Sequence, residues 1–292
     1  MAKYKNYLGL GIAGNFALHL DQAGEAEDFK DIITADEAAP KGMFPFYLPR
    51  VLNPVDEAQL KANKMLHTYP LSADTLKLPK DESLNVQAEP EVGLVCEFTY
   101  TAGRVSAITP TYFGAYNDAS IRVKGAKKIS DKKNWGHESK GFSNTLFKID
   151  KFEKGGIMDN FSICSFLKRD DTIHPYGEDV ELSGYSYFYS KLTDWMTNQI
   201  NTQENYGPLE PLEEYIIACE YPKEAIISIG ATRYTEYGES TFLKVGDEVI
   251  VIVYDHTKHS KDDMLDIVKN KNYDNSSMSV LAQKVIKPNS NE

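Results

Sequence analysis

The clearest signal along the chain is a set of short runs rich in β-branched and aromatic residues. Two of them, 91–100 and 104–116, are joined by a Thr-Ala-Gly-Arg turn, which predicts an antiparallel hairpin. The runs 225–234 (AIISIGATRY) and 247–255 (DEVIVIVYD) predict two further strands. Residues 4–20 mix apolar residues with glycine, which is typical of a strand running into a tight turn.

Helical patterns are few. Apolar residues fall on one face of 187–203, and 210–219 carries Pro211 in its first turn, where proline is tolerated. Residues 56–66 have a helix-former composition, and 21–37 predict a short helix followed by a loop. Many strands with few helices favour an α+β fold, mainly β, over an alternating βαβ layer.

Two segments between these elements predict loops. Residues 40–55 contain four prolines among aromatic residues and predict an extended, loop-like stretch. Residues 124–140 are basic and polar and predict an exposed loop, whose Lys124–Lys133 run is either a mobile lid or a clamp on an anionic substrate. We therefore divide the chain into three parts. They are an N-terminal segment with lid and loop elements (1–80), a core (81–256) and a polar C-terminal extension (257–292).

Composition excludes several classes of protein. The chain has 292 residues, 41% of them hydrophobic, and a net charge of −11. This composition predicts a globular protein. An acidic balance argues against a nucleic-acid binder and against a polybasic membrane-surface protein. No window approaches 18 uninterrupted apolar residues, and the N-terminus lacks a signal-peptide pattern. Three cysteines without metal-binding spacing indicate a reducing compartment, so we predict a cytoplasmic location.

Three carboxylates carry the most chemistry. Glu89 and Glu91 project to the same side of an extended strand, since alternate residues share a face. The predicted hairpin brings Asp118 close to them. Such a cluster suits a hard divalent cation, Mg²⁺ above all, with Mn²⁺ or Ca²⁺ as alternatives. The other interpretation is that these are solvated acids on a strand.

The order of several motifs resembles the fumarylacetoacetate hydrolase superfamily. The resemblance spans roughly residues 7–254. Its pieces are Asn15–His19, Met43–Pro49, Glu89-x-Glu91, Tyr116–Arg122, Ser139–Phe142, Ile227–Thr232 and Phe242–Val249.

This resemblance implies a mixed β-sandwich/β-roll fold, a homodimer and a set of site residues. The implied metal ligands are Glu89, Glu91 and Asp118. The implied catalytic residues are His19, Lys140 and Arg122, and the implied substrate contacts are Thr232, Gly230 and Phe46.

The resemblance also implies a reaction. Members of the superfamily act on β-diketo acids, acylpyruvates and related 2-oxo acids, where a metal stabilises an enolate during C–C cleavage, decarboxylation or tautomerisation. Lys140 would add positive charge beside the oxyanion, and His19 would activate water. Gln22 stands where many members have a glutamate, and Ser143 stands where an aspartate is common. These departures motivate a second hypothesis, a non-catalytic relative that binds a small anionic ligand.

Overall fold

A computed structural model describes residues 1–17, 19–34, 36–49 and 64–288 of the chain. Its strands, in chain order, are β1 (Leu8–Ala13), β2 (Gly42–Tyr47), β3 (Leu71–Ser72), β4 (Thr75–Lys77), β5 (Asn85–Gln87), β6 (Pro90–Thr101), β7 (Arg104–Asn117), β8 (Ser120–Arg122), β9 (Lys140–Phe142), β10 (Phe147–Lys148), β11 (Phe161–Arg169), β12 (Thr172–Glu181), β13 (Glu224–Ser228), β14 (Glu248–Asp255) and β15 (Met278–Ile286).

Within the described residues these strands form two main sheets and one small one. The larger sheet has eight strands in the order β2-β1-β13-β6-β7-β9-β3, with β10 also paired to β7. The second has five strands in the order β12-β11-β14-β15-β4, and β5 pairs with β8. The chain is therefore α+β and mainly β, as predicted.

The β6–β7 hairpin is the centre of the larger sheet. It runs from the pair Pro90↔Asn117 at its open end to Thr101↔Arg104 at its turn. Ala102 and Gly103 form the two-residue loop with positive φ angles, the geometry that matches the twist of a hairpin. The predicted hairpin is thus confirmed with nearly the predicted bounds.

The edge strand β2 corrects one prediction. Residues 42–47 lie in the region predicted as a loop because of its prolines, yet they pair with β1. Pro45 is tolerated because β2 is an edge strand, where a missing N–H need not break a ladder. Gly9 and Gly11 of β1 leave room for the rings of Phe46 and Phe44, where any Cβ would clash.

The helices of the described residues are short and peripheral. They are α1 (His19–Gln22), α2 (Tyr189–Thr202), α3 (Leu212–Ala218), α4 (Glu236–Ser240) and α5 (Met264–Asn270), with short 3-10 helices at Ala2–Asn6, Ala26–Phe29, Lys64–His67, Ile129–Lys132, Ile157–Asn160, Leu182–Gly184 and Lys261–Asp263. The predicted helices at 187–203 and 210–219 correspond to α2 and α3. Most of the predicted helix 56–66 lies outside the described residues.

The core lies between and beside the two sheets. On α2, Leu192, Met196 and Ile200 are buried, and the helix packs against β7. All three cysteines are buried, and none forms a disulfide within the described residues. Strands from all three predicted parts of the chain share the sheets, so the three-part division stays a prediction. No helix among the described residues is long and apolar enough to cross a membrane.

Candidate metal and catalytic site

The open end of the β6–β7 hairpin brings the three predicted carboxylates together. Glu89 precedes β6, Glu91 is its second residue, and Asp118 follows β7. The Asp118 N–H donates to the Glu89 carbonyl at 2.9 Å, and the Glu89 N–H donates to Oδ1 of Asn117 at 3.1 Å. One oxygen from each carboxylate lies within 4.8 Å of the others, and all three side chains are buried.

The oxygens of this triad (Glu89, Glu91 and Asp118) fit a divalent cation. Oε1 of Glu89 and both oxygens of Asp118 are buried, yet among the described residues none of them accepts a hydrogen bond. Each of these three oxygens instead has the nitrogen of a buried cation within 2.9 Å, so positive charge already stabilises the triad. Their separation matches the span across a hard ion with ligands at about 2.1–2.5 Å.

Three cationic side chains already contact the triad. Nη1 of Arg122 lies 2.8 Å from Oε1 of Glu89, and Nζ of Lys140 lies 2.9 Å from Oδ1 of Asp118. Nζ of Lys133 lies 2.6 Å from Oδ2 of Asp118 and donates to Oε2 of Glu89 at 2.7 Å. Of these contacts, only the one between Lys133 and Oε2 of Glu89 has hydrogen-bond geometry, and the others are close ion pairs.

Glu91 differs from the other two carboxylates. Its Oε2 accepts a hydrogen bond from the Gly230 N–H at 2.8 Å, and no cation pairs with it among the described residues. Burial, together with the charges of Asp118 and Glu89, raises its pKa well above the ordinary value. For Glu89, burial opposes ionisation, but Lys133 and Arg122 outweigh it and lower the pKa. The structure therefore favours a protonated Glu91 beside an ionised Glu89.

The two lysines are affected in opposite directions. Burial alone would lower the pKa of Lys133, but Asp118 and Glu89 outweigh it and raise that pKa. Burial dominates at Lys140 and lowers its pKa to about 8, with Lys133 contributing to the decrease. Lys140 is fully buried, and its ammonium also donates to the Ala119 carbonyl.

His19 lies at the start of α1 and faces the same site. Its Nδ1 is 2.9 Å from the Thr232 carbonyl, which can only accept, so Nδ1 carries the proton and Nε2 the lone pair. Burial lowers the pKa of His19 to about 4 despite the opposing charge of Glu89. The imidazole is neutral near pH 7, as a base that accepts a proton from water must be.

Arg122 is engaged on all sides. Besides Glu89, it donates to Gln87 at 2.7 Å, to Glu25 at 2.7 Å and to the Tyr234 hydroxyl at 2.9 Å. Burial alone would lower its pKa, but the surrounding groups outweigh it and raise that pKa. This geometry makes Arg122 a support for Glu89 rather than a free cation for a substrate.

Glu25 and Lys133 join the site although the sequence did not assign them. Glu25 pairs with Arg122 and also with Lys132 at 2.9 Å. The position of Glu25 depends on how the segment after α1 packs, and a single sequence gives no signal for that packing.

Gly230 and Thr232 lie beside the triad and His19. Gly230 has a φ of 109°, and a Cβ there would lie 2.9 Å from Cβ of Asn15, so only glycine fits without strain. The Asn15 amide fixes this loop by donating to the Ile229 carbonyl at 2.9 Å. The Thr232 N–H donates to the Pro90 carbonyl at 3.1 Å.

Phe46 packs away from the cations. Its ring contacts Tyr116, with centroids 5.8 Å apart, in an apolar cluster. The ring that approaches the site is that of Phe44, whose centroid is 5.2 Å from Nζ of Lys133. The implied substrate contact at Phe46 stays a prediction.

The basic segment 124–140 is not an exposed loop throughout, which corrects that prediction. Lys132, Lys133 and Asn134 are each 3% exposed. They are buried because their polar groups have partners: the lysines pair with acids, and Asn134 donates to the Phe46 and Thr68 carbonyls. A sequence signal was present, since apolar Ile129 and Trp135 flank the three residues. His137 is exposed, and its ring nitrogen lies 3.1 Å from the Tyr69 carbonyl.

Gln283 supports the site from the second sheet. Its side-chain oxygen accepts a hydrogen bond from the Asn117 amide at 2.9 Å. Its amide donates to the Thr75 carbonyl at 2.8 Å and to the Lys140 carbonyl at 3.3 Å. One buried glutamine of β15 therefore links the ends of three strands around the triad.

A surface groove of 570 Å³ lies elsewhere, lined by residues from the segments 78–85 and 240–245 with Arg169 and Lys287. It contains none of the predicted site residues, so its size does not make it the catalytic site.

Comparisons with known proteins agree on the fold. Residues 25–285 match a family model described as a family of unknown function, DUF5718. No curated protein sequence matches this chain. The crystal structure of Cg1458 with an inhibitor aligns over 97% of this chain and 77% of its own, at 13% identity and a TM-score of 0.52.

Two further solved structures align over 97% of this chain. One is 5-carboxymethyl-2-hydroxymuconate delta-isomerase from Mycobacterium smegmatis (80% of its own chain, 12% identity, TM-score 0.49). The other is 2-keto-3-deoxy-D-arabinonate dehydratase complexed with magnesium and 2,5-dioxopentanoate (73%, 14% identity, TM-score 0.47). Because their TM-scores are below 0.5, these two structures carry no argument about the fold. The likeness to the Cg1458 structure, at 13% identity, confirms the predicted fold and shows the fold alone.

Proposed function

The chain belongs to the DUF5718 family, and from its own residues we propose that it is a divalent-metal-dependent hydrolase or lyase. Its substrate class is a β-diketo acid, an acylpyruvate or a related 2-oxo acid, which it cleaves at a C–C bond or decarboxylates. The observation that carries this proposal is the buried triad, in which one oxygen from each carboxylate lies within 4.8 Å of the others, placed beside a neutral imidazole and a buried lysine.

Glu89, Glu91 and Asp118 would hold the ion, with Mg²⁺ as the expected metal. A divalent ion in that position supplies Lewis-acid polarisation of a 2-oxo acid oxygen. The remaining residues determine how strongly the site holds the ion and where protons move.

The protein's own residues prepare proton transfer. The Nδ1–H of His19 donates to the Thr232 carbonyl, so Nε2 is the atom that takes a proton from water. Arg122 fixes Glu89, and Lys140 fixes Asp118. The buried cations also offset the charge of an anionic substrate, which an acidic protein needs at its binding site.

The direct test is a screen of acylpyruvates, oxaloacetate and fumarylpyruvate-like acids with Mg²⁺ or Mn²⁺. We expect a metal-dependent loss of the enol absorbance that Glu91→Ala reduces at least ~100-fold, because one of three ligands is lost. Glu213→Ala, an exposed acid far from the triad, is the matched control and should leave the rate unchanged. Turnover that is unaffected by EDTA and by Glu91→Ala contradicts the proposal.

A binding protein without turnover is the second candidate, and Gln22 favours it. Gln22 accepts from the Tyr234 N–H at 2.9 Å and donates to the Tyr234 carbonyl at 3.2 Å, a pairing that an ionised glutamate cannot make. His19 contacts a carbonyl rather than a carboxylate. In the same screen, this candidate predicts ligand-dependent thermal stabilisation with no change in the enol absorbance.

A further inference from the structure

Lys133 occupies the position in the triad where a divalent ion would bind. Its ammonium is 2.6 Å from Oδ2 of Asp118 and 2.7 Å from Oε2 of Glu89, and its side chain is 4% exposed. These two carboxylates are two of the three that fit a metal.

The ammonium and a divalent ion cannot share these oxygens. Both cations draw on the carboxylates of Asp118 and Glu89, so an ion bound there would lie within a few ångströms of Nζ. Attraction between unlike charges is stronger in a buried site than in water, and repulsion between like charges is stronger there for the same reason. Arg122 and Lys140 already contact the triad, so an ion added beside Lys133 would leave an excess of positive charge in a buried space.

The backbone around Lys133 is held on both sides. Lys132 pairs with Glu25 at 2.9 Å and with Asp28 at 3.1 Å. Asn134 donates from its amide to two backbone carbonyls, at 2.8 and 3.0 Å. With the flanking residues fixed, the movement open to Lys133 is a rotation of its own side chain.

We propose that Lys133 is a built-in counter-ion of the triad, and that a divalent ion binds there only when the Lys133 ammonium has left it. The inference rests on the proposed metal dependence, and it adds that metal affinity is set by competition with a residue of the chain. The ion must displace the Lys133 ammonium from Asp118 and Glu89, so the native protein binds it more weakly than the triad alone would.

The test is Mn²⁺ binding, measured by electron paramagnetic resonance of the free ion during titration of the full chain. Lys133→Met removes the charge and keeps the length of the side chain, and we expect the dissociation constant to fall about tenfold or more. Lys127→Met is the matched control: it makes the same change at an exposed lysine of the same segment, and it should bind Mn²⁺ like the native protein. Lys133→Gln keeps an N–H donor and serves as a second variant if Lys133→Met does not fold.

The outcomes separate the inference from the proposed function. Tighter binding by Lys133→Met, lost again when Glu91→Ala is added, supports competition at the triad. Native binding that Lys133→Met and Lys133→Gln leave equal or weaken overturns the inference and leaves the metal-dependent function standing. Binding by the variants but not by the native protein supports the inference and overturns the native metal dependence. The absence of binding in every form overturns both.

Discussion

Each end of the β6–β7 hairpin has an ion pair between a basic and an acidic residue, exposed to solvent at the turn and buried at the open end. At the turn, Arg104 pairs with Glu213 at 3.0 Å, and the two side chains are 55% and 41% exposed. At the open end, Lys140 pairs with Asp118 at a similar distance, 2.9 Å, and both are fully buried. Distance alone does not distinguish the two pairs, so the difference in their consequences comes from solvent.

Burial makes the ion pair between Lys140 and Asp118 costly to break. An exposed pair exchanges its partner for water at little cost, whereas a buried charge that loses its partner has no replacement. The perturbed pKa values of Glu89, Glu91, Lys133 and Lys140 cluster at the open end of the hairpin, and such a cluster is typical of a functional site.

The largest expected effect is the loss of a charge at the buried end. Asp118→Asn should lower the free energy of unfolding by about 3 kcal/mol or more, because Lys140 would keep a buried charge without its carboxylate and Lys133 would keep only Glu89. Urea denaturation at pH 7 measures this. Glu213→Gln makes the matched change at the exposed end, and a loss as large as that of Asp118→Asn would erase the contrast between the two ends.

A buried acid outside the triad gives an intermediate effect. Glu210 accepts a hydrogen bond from Ser130 at 2.8 Å, and burial raises its pKa to about 8 from an ordinary value of 4.5. Between these two values the folded chain binds one more proton than the unfolded chain, so stability falls as the pH rises from about 5 to about 8.

Replacing this acid should flatten that part of the pH profile. Glu210→Gln should be about 2 kcal/mol more stable than the native protein at pH 6, and the difference should shrink towards pH 5. Denaturation curves across this range measure it. A native-minus-variant difference that stays constant with pH contradicts the raised pKa.

The smallest effect is expected at the turn. Arg104→Ala should cost less than about 1 kcal/mol, because its ion pair with Glu213 is exposed. Arg104 also donates to the Asn201 carbonyl, which sets the upper end of this range. Thermal unfolding at low and high salt checks it, since an exposed pair should weaken with salt. A cost equal to that of Asp118→Asn would contradict the role assigned to burial.

The sequence predicted what depends on local geometry. Alternation along a strand placed Glu89 and Glu91 on one side, and the turn between the two runs brought Asp118 to them. Lys133 was predicted only as part of a basic run that is a lid or a clamp, and its burial was missed because it depends on a partner far away in the chain: Glu89 is 44 residues from it. The edge strand β2 was missed because its prolines resemble a loop until the sheet order shows that its N–H groups are not all needed.

Gln283 carries a consequence for the order in which the protein is made. The hairpin that presents the triad can pair as soon as residue 118 has been synthesised, but the amide that joins Asn117 to the second sheet is 166 residues further along. Contacts over such separations close late, because a long loop must first be ordered. During translation, the three carboxylates therefore leave the ribosome well before Gln283. A nascent chain that lacks β15 carries the carboxylates without the hydrogen bonds that Gln283 makes around them.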